Sequence, residues 1–585
     1  MAVLPFGDFA PDLSSFKTNT SQAIYNVVPR ADGYGPHQDL LAFTSALPSA
    51  CRGYFYGRKS DGSVVLFAGT STDLYVLNNT TYTWTRVSLG GASYSALSAN
   101  ANWQFAQFGD IVFATQQNVV LQAYAMSSST AFANQAGSPP QAAYIAIVGQ
   151  FVVLSGLLSA EYRIQWSGLD DPTNWSAGLN QSDFQDFPDG GLVRGVGGGE
   201  YGVIFQDTAI RAMVYAPGSP VIFTITRIAD DLGLFAPYGI VRAGDKIYYP
   251  STRGFQYIES GGLPVPIGKE RVDRTFLANV DQGNIQLCIG FSDPANTRVG
   301  WAFKSINGAF AGAFDTILLY DYALDKWTEI VSIVGEYIAS LAKPGITLEG
   351  LDTIAPGTIA ISSVTNVGGF CVLTVASIAR NSGVVPPDGA PTETQLQVND
   401  LIAVSGVTGT GGLPAAINVE NIKITAIAGT GPYTITTNVS FMGAYTSGGT
   451  IAGSIDAMTA SLDSYAAISA VALSAFNNSH ALGFFNGPNL QAILQTSDQG
   501  DDEKRVIVQD LRPVTDSPVV YGSVGCRESL QGTLVFSAEN LINTQGRCPQ
   551  RSSTRYPRGQ MRIPYGTVWS FMTGVEPTFK LSGKR

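Results

Sequence analysis

The sequence predicts an all-β protein, and three features of composition and patterning support that class. Residues that favour strands and tight turns are abundant, with 25 Tyr, 30 Phe and 64 Gly in 585 residues. Charged residues make up 14% of the chain, well below the ~25% of an average soluble protein. Short apolar runs bounded by Gly, Asp or Asn recur throughout, and no stretch sustains the 3.6-residue period of a long helix.

Between residues 51 and 354, sets of four short strands recur every ~40–50 residues, a spacing typical of β-propeller blades. The closest internal echo compares Asp73-Leu-Tyr-Val-Leu…Trp84-Thr with Thr316-Ile-Leu-Leu-Tyr-Asp…Trp327-Thr, where an apolar strand turns into a Trp-Thr strand. We therefore expect a propeller of about six blades, with a series of β-sandwiches as the alternative. Five tryptophans are predicted to fill the gaps between blades: Trp84, Trp103, Trp166, Trp175 and Trp327.

Changes in composition divide the rest of the chain into three segments. Residues 1–50 are rich in Pro and polar residues, which predicts an extended N-terminal arm laid over another part of the protein. Residues 355–453 carry almost no charge, which predicts a small β-sandwich or barrel domain inserted between strands of the last propeller segment. The flanks 346–351 and 457–462 are expected to pair across it. Residues 454–585 are predicted to supply the last propeller strands and a β-rich C-terminal platform.

The net charge of −11 argues against a protein that grips DNA over its whole surface, because phosphate contacts need Lys and Arg. It is compatible with a protein that surrounds DNA without holding it. The low overall charge also suggests that neighbouring subunits cover much of the surface.

The C-terminal segment is unusually basic: from Arg547 to the end it has eight basic residues against one acid, Glu576. Pro and Gly residues interrupt any helix there, so the arginines face either phosphates or acids of a neighbouring subunit. We favour a subunit or partner interface, since the net charge is negative. The predicted interface residues are Arg547, Arg551, Arg555, Arg558, Arg562 and Trp569.

Five scattered cysteines without a Cys-x-x-Cys pair indicate free thiols in a reducing compartment rather than a disulfide framework. The two histidines cannot supply a His-rich zinc site, and we expect neither a metal nor a cofactor. The N-terminus lacks the pattern of a signal peptide, and no run of 18 apolar residues occurs. No membrane anchor is therefore expected.

The clustered acids Asp170, Asp171, Asp183, Asp186 and Asp189 are the residues that would be suspected first in an enzyme. A glycosidase holds two carboxylates ~5–10 Å apart beside a sugar cleft, and a calcium loop spaces its oxygen ligands regularly. The sequence completes neither pattern, so we interpret these acids as loop or turn residues, or as residues facing a channel. The Gly-x-Gly-x-x-Gly match at 197–202 runs into another strand, which indicates a hairpin turn rather than a dinucleotide site.

Several phrases, in this order, resemble the tail nozzle (tail tube or tail stabilisation) proteins of short-tailed bacteriophages. They include Asn26-Val-Val-Pro, Trp103-Gln-Phe-Ala-Gln-Phe-Gly-Asp, Trp166-Ser-Gly-Leu-Asp-Asp-Pro-Thr-Asn-Trp, Pro266-Ile-Gly-Lys-Glu-Arg-Val-Asp and the ending Arg555-Tyr…Ile563-Pro…Trp569. The resemblance covers roughly residues 1–350 and 460–585 and leaves 355–453 outside it as a decorating insertion.

The resemblance implies a propeller joined to a β platform, with six copies around a central channel below the head–tail adaptor. It implies a non-enzymatic virion protein of the tail, assembled in the cytoplasm of the bacterial host. Its implied partners are sister subunits, the adaptor, fibre or spike proteins, and double-stranded DNA in transit. An acidic lumen would suit this role, because repulsion keeps sliding DNA from sticking.

Two other classes of function remain open at the level of sequence. One is a receptor-binding or glycan-binding tail component, with the 355–453 domain as the candidate binding module. The other is a propeller-fold polysaccharide hydrolase that would depend on Asp170, Asp171 or Asp186.

Overall fold

The computed structural model describes residues 3–79, 81–259, 261–344, 359–378, 396–453, 470–500 and 503–582. Seven four-stranded antiparallel arrays form a β-propeller, so the predicted class is confirmed with seven blades rather than about six. Tyr54–Arg58 and Gly335–Ala342, the first strands of the first and last blades, are in contact, which closes the ring.

Each of the first six blades is built from four consecutive strands joined by hairpins. The strands of blades 1 to 3 are Tyr54–Arg58, Val64–Gly69, Leu74–Leu77 and Trp84–Arg86; Gln104–Phe108, Ile111–Gln116, Val119–Ala125 and Ala133–Asn134; and Ala142–Val148, Phe151–Leu157, Ala160–Trp166 and Asp183–Asp186. The strands of blades 4 to 6 are Val193–Gly197, Gly202–Gln206, Ile210–Tyr215 and Phe223–Ala229; Val241–Ala243, Lys246–Ser251, Gly254–Glu259 and Val265–Pro266; and Ile289–Asp293, Arg298–Phe303, Thr316–Asp321 and Lys326–Ile330. The turn at 198–201 joins two paired strands of blade 4, as a hairpin reading of the Gly-rich motif requires.

Blade 7 is assembled from three separate parts of the chain, so its strands do not follow one another at the spacing of the other blades. Its first three strands are Gly335–Ala342, Val471–Asn477 and Ala481–Phe484. The fourth, Leu41–Ala46, comes from the N-terminal segment and pairs with Ala481–Phe484. The propeller ring is therefore closed by strands from both ends of the chain.

The inserted domain is a closed barrel that follows the first strand of blade 7. Around the barrel its strands are Ile359–Val367, Phe370–Val375, Tyr433–Ser440, Ile422–Ala428, Leu401–Ser405 and Thr450–Gly453. A two-stranded sheet, Thr408–Gly411 with Gly443–Ser447, and the helix Leu413–Ile417 complete it. Its apolar side chains form a core of their own. The expected pairing of 346–351 with 457–462 lies outside the described residues.

The N-terminal segment is extended, but it does not lie over another part of the protein. Its strands and side chains form part of the core. Ile24–Tyr25 joins the sheet of blade 6, and Val27–Arg30 pairs with Gly33–Pro36 in the platform. The buried side chains of this segment include Phe6, Phe9, Ile24, Val27 and Tyr34. Its prolines do not exclude strands: Pro29 lies in the edge strand of the sheet and Pro36 ends the next strand, and both are positions where a missing backbone N–H is tolerated.

The platform consists of an extension of blade 6 and a second sheet. Blade 6 continues through Ile24–Tyr25, Ala492–Gln495, Arg558–Ile563 and Tyr521–Cys526, with Val535–Phe536 and Asn540–Leu541 at the far edge. The second sheet contains Cys548–Thr554, Arg505–Thr515, Met572–Ser582, Gly33–Pro36, Val27–Arg30 and Leu4–Pro5.

Helices are few and short among the described residues. They are the α-helices Asp273–Asn279 and Leu413–Ile417 and the 3-10 turns Leu89–Gly91, Pro237–Gly239, Gln282–Leu287 and Pro294–Asn296. None of the described helices has the length and apolar character needed to cross a lipid bilayer.

Tryptophans occupy the gaps between blades. Trp84 packs with the cluster between blades 7 and 1, Trp103 between blades 1 and 2, Trp175 between 2 and 3, Trp166 between 3 and 4, and Trp327 between 5 and 6. Trp327 packs there within a cluster that reaches into the platform. Because each blade is a thin sheet, these wide rings supply much of the apolar area that joins one blade to the next.

Candidate functional site: an assembly surface on the platform

The basic C-terminal segment is tied mainly to acids of the same chain, and Arg558 is the centre of this pairing. Arg558 donates from Nε to Oδ1 of Asp498 at 2.9 Å and from Nη2 to Oδ2 at 2.7 Å. Arg527 pairs with the same carboxylate, and Ser15 donates to its Oδ2 at 2.8 Å. Arg558 is buried, so its predicted place at an interface is corrected: it anchors the N-terminal segment to the platform, as a buried charge requires close pairing.

Two further predicted interface arginines are paired but remain near the surface. Arg547 donates from Nη1 to Oδ1 of Asp510 at 2.6 Å. Arg562 donates from Nη2 to Oε2 of Glu539 at 2.6 Å, and its guanidinium lies 4.4 Å from the ring centre of Tyr521. These pairs hold the long side chains in place within one chain, which lowers the entropy lost if a partner binds there.

Arg551 best retains the character of an interface arginine. It is exposed on the edge strand Cys548–Thr554, and within the described parts of the chain it forms no ion pair. Arg555 lies 4.0 Å from Glu528 through Nε, at the outer limit of an ion pair. Trp569 is buried in the platform core rather than exposed, so its predicted interface role is corrected as well.

The last platform strand, Met572–Ser582, has an open edge. One side pairs along its whole length with Arg505–Thr515. The other side carries Leu4–Pro5 opposite residues 574–575, and within the described part of the chain no strand pairs with residues 579–582 on that side. Unpaired backbone N–H and C=O groups of this kind are a template for adding a strand from another chain.

Exposed apolar side chains lie along this open end of the strand. Phe579 is 54% exposed and Leu581 66% exposed. They line one side of a 460 Å³ cavity whose walls are mainly apolar. Other lining residues are Val506, Val508, Leu511, Val524 and Val575. Apolar surface beside an open strand edge is the usual mark of a surface that another chain covers.

The first two acids of the predicted cluster are turn residues. Asp170 has a left-handed backbone with φ of 51°, and Asp171 forms an isolated β-bridge with Gly168. The carboxylate of Asp171 accepts hydrogen bonds from the backbone N and the hydroxyl of Thr173 at 3.0 and 2.6 Å. These bonds hold the pKa of Asp171 below its usual value, which is opposite to what a general acid needs.

The other acids differ from the expectation of a loop cluster. Asp183 and Asp186 lie on the fourth strand of blade 3. Arg163 donates from Nε to Oδ1 of Asp186 at 2.5 Å and from Nη2 to Oδ2 at 2.9 Å, and this pairing lowers the pKa of Asp186. Asp189 forms ion pairs with two arginines of blade 4. The cluster is therefore partly neutralised by arginines of the same two blades.

The axis of the propeller holds a cavity of 520 Å³ lined by the first strands of the blades. Aromatic residues form much of its wall, including Tyr54, Trp103, Phe105, Tyr238 and Tyr337. Tyr238 accepts a hydrogen bond from the backbone N of Asn102 at 2.8 Å, which ties blade 5 to the start of blade 2 across the axis. A volume of 520 Å³ is of the size that holds a small ligand. It is too small to admit a double helix, whose major groove alone is ~12 Å wide.

All five cysteines are free thiols, and four of them are buried. Burial raises the pKa of Cys288 to about 12 and that of Cys548 to about 11, so these thiols stay protonated and packed as small apolar groups. Among the described residues, no group of three or more His, Cys, Asp or Glu side chains is arranged to hold a metal ion.

No protein-family model matches the chain, and no curated protein matches it significantly. Among solved structures it is similar to dihydro-heme d1 dehydrogenase NirN, with 14% identity and a TM-score of 0.31 over 59% of this chain and 76% of that one. It is also similar to the designed protein Ika8, with 10% identity and a TM-score of 0.29 over 70% of this chain and 100% of that one. The β-propeller domain of Cps50 (Swd1) from Myceliophteria thermophila gives 9% identity and a TM-score of 0.25 over 44% and 96%. Similarity this weak carries no functional argument.

Proposed function

We propose that this chain is a structural protein of a short-tailed phage virion. Six copies form a nozzle ring below the head–tail adaptor, and the genome leaves through the ring. The observation that carries the proposal is the open, apolar end of Met572–Ser582 at residues 579–582, a surface suited to another protein chain. The ordered phrases that resemble tail nozzle proteins supply the identity of the assembly.

An assembly role explains the exposed apolar side chains of the platform, because a monomeric protein gains no stability from them. Val568 is 82% exposed and Val535 63% exposed, both on the platform with Phe579 and Leu581. A specific interface buries at least ~1,000 Å², so a stable ring also requires platform surface beyond residues 579–582. In a closed ring each subunit uses two different faces, one for each neighbour.

The channel for DNA would lie between subunits, since the cavity on the propeller axis is too small for a duplex. A net charge of −11 suits that passage, because negative protein surface repels the phosphates of the moving strand pair. Partners of the ring would be the adaptor above it and fibre or spike proteins beside it. A structural role needs no catalytic group, and the lowered carboxyl pKa values of Asp171 and Asp186 argue against either residue acting as a general acid.

The oligomeric mass of the purified full chain tests the proposal. A six-fold mass by mass photometry is expected, and a Phe579→Asp/Leu581→Asp double variant should shift the population towards smaller species. Val367→Asp is the matched control, because Val367 is also exposed, at 59%, on a strand of the inserted barrel. A trimer would indicate a fibre or spike component, and a monomer at all concentrations would contradict the ring.

Location in the virion tests the second half of the proposal. Gold labelling of the chain in intact particles is expected to mark the tail axis below the head. A label on the capsid surface or away from the tail axis would refute the nozzle role even if the protein were hexameric.

A further inference from the structure

The cavity on the propeller axis is closed at one end and open at the other. The bond between Tyr238 and the backbone of Asn102 crosses the axis before the first strands of their blades begin. Arg242 lines the cavity at the opposite end, where the first strand of blade 5 turns into the second, and its side chain is exposed. The 520 Å³ cavity therefore opens beside Arg242, and its volume falls in the ~300–1,000 Å³ range of small-molecule sites.

Arg242 is the one charged side chain among the described residues that line this cavity. Its Nε donates to a carbonyl of its own turn at 3.0 Å, and its Nη1 donates to the carbonyl of Gly198. The guanidinium packs so closely on Gly199 that a Cβ there would overlap Nη1, which fixes its position. Within the described parts of the chain it forms no ion pair, although Glu200 and Asp245 lie in the adjacent turns. A fixed cation without a counter-charge at the mouth favours an anionic group.

The wall also holds two uncharged donors that meet no acceptor among the described residues, the amide nitrogen of Gln104 and the hydroxyl of Tyr337. Both side chains are only partly buried, because they face the cavity. Removal from bulk water raises the pKa of the Tyr337 phenol, so its hydroxyl keeps its proton near neutral pH. The remaining polar side chains of the wall are bonded within the protein: Tyr54, Trp103, Gln107 and Tyr238.

The cation and the Gln104 amide lie at different levels of the axis. Oε1 of Gln104 accepts from the backbone N of Ile145 at 3.3 Å. Arg242 bonds to the turn in which the backbone N of Gly199 donates to the carbonyl of Ile147 at 2.8 Å. Two strand residues, or ~7 Å, separate these levels, which is about the span of a benzene ring with a substituent at each end.

The surface between these levels is aromatic and aliphatic. Phe55 and Phe105, from the first strands of blades 1 and 2, stack with ring centres 6.2 Å apart and planes at 10° to each other. Both rings line the cavity and are partly exposed. Aromatic rings of this kind pack well against the face or edge of a further ring. The body of the ligand is therefore expected to be an aromatic ring.

We propose that the axial cavity binds an aromatic monocarboxylate that carries an oxygen acceptor opposite the carboxylate. The carboxylate binds the guanidinium of Arg242 at the mouth, the ring packs against Phe55 and Phe105, and the far oxygen accepts from Gln104 or Tyr337. A carboxylate is preferred to an ammonium group, because no acid lines the cavity within the described residues. The cavity belongs to a single subunit, so this binding does not depend on the nozzle ring.

Binding of 4-methoxybenzoate to the full-length protein tests the proposal. Saturation-transfer NMR and calorimetry are expected to detect binding. The neutral analogue 4-methoxybenzamide should bind at least about tenfold more weakly, and 4-methoxybenzylamine and acetate should not bind at the same concentration. Failure of 4-methoxybenzoate to bind at millimolar concentration would overturn the assignment, as would equal or tighter binding of the amide or the amine.

Two variants connect the binding to this cavity. Arg242→Gln should weaken binding of 4-methoxybenzoate about tenfold and leave that of 4-methoxybenzamide unchanged, a difference that misfolding would not produce. Arg253→Gln is the matched control, since Arg253 is an exposed arginine of the same blade. An unchanged affinity in Arg242→Gln, or an equal loss for both ligands, would reject the contact with the carboxylate.

Phe105→Leu should weaken binding of both ligands, because it removes one of the two stacked rings. Phe370→Leu is the control, since Phe370 is also partly exposed but lies on the inserted barrel. Equal affinities in these two variants would place the ligand elsewhere and reject this site. The unfolding midpoint of each variant shows whether a loss of binding reflects a loss of fold.

Discussion

Ala342 and Val471 face each other as the last pair of an antiparallel ladder, although the whole inserted barrel lies between them in sequence. Backbones paired in this way lie ~5 Å apart. The chain therefore leaves and re-enters blade 7 at nearly one point, which is the geometry that tolerates insertion or removal of a domain.

We expect the barrel to be removable. Replacing residues 344–469 with Asn-Gly would leave a short hairpin loop between Ala342 and Val471, and Asn-Gly favours such turns. The shortened protein should fold with an unfolding temperature within a few degrees of the full chain, as measured by scanning calorimetry. An insoluble product would show that the barrel supports the propeller. A fragment of residues 355–453 is the complementary measurement and should unfold cooperatively, because the barrel has its own core.

Removing the charge of Asp498 should be strongly destabilising. Asp498→Asn leaves the buried Arg558 and the partly buried Arg527 without their counter-charge, and breaking a buried pair costs ~3–5 kcal/mol. Urea denaturation would measure the loss. Glu576→Gln is the control, because its partner Arg512 is exposed and surface pairs contribute ~0–1 kcal/mol. Equal effects from the two variants would contradict the anchoring role of the buried pair.

Stability should depend on pH through Glu329. Burial raises the pKa of this carboxyl from 4.5 to about 7, so the folded protein binds the extra proton between these values. The stability that protonated Glu329 contributes is complete below pH 4.5, falls as the pH rises, and is lost above about pH 7. Between pH 5 and pH 8 the wild type should lose roughly 1–2 kcal/mol more than Glu329→Gln, allowing for partial exposure.

Comparing wild type with Glu329→Gln isolates the effect of Glu329, because both proteins contain His37, whose titration changes stability in the opposite direction. Its pKa is lowered to about 4, so His37 adds stability as pH rises from 4 to 6.5. Parallel pH profiles for wild type and Glu329→Gln, measured by urea denaturation, would show that Glu329 is not buried as a neutral acid.

Trp103 should be among the most costly side chains to truncate. It is completely buried between blades 1 and 2 and donates from Nε1 to the carbonyl of Thr70 at 2.8 Å. Trp103→Ala is expected to cost ~3–5 kcal/mol, and Trp103→Phe less. Trp84→Ala should cost less than Trp103→Ala, since Trp84 is only partly buried. Thermal unfolding of the three variants would show the order, and a reversed order would contradict the packing described.

Much of the fold follows from local pattern, and the remainder depends on distant pairing. Alternation and turn residues predict the six consecutive blades, because each is made of neighbouring hairpins. The strand pairing of blade 7 and the platform could not be predicted in this way, since Leu41–Ala46 and Ile24–Tyr25 carry no sign of which remote strand they join.

The same limit applies to the candidate surfaces. The density of arginines indicated that the C-terminal segment is electrostatically important, but it did not reveal that Arg558 pairs internally with Asp498. A single aspartate among many carries no signal of its burial. The open edge at Phe579 could not be predicted either, because the alternation of apolar residues is the same in a strand with one neighbour as in a strand with two.

Blade 7 can close only late in biosynthesis, because its strands lie far apart in the sequence. Thr44 and Leu482 bond to each other across 438 residues of chain. At ~5–20 residues per second, the ribosome needs roughly 20–90 s to deliver the second partner after the first. During that interval the nascent strand Leu41–Ala46 lacks its partner, although the strands of the first six blades have already been synthesised.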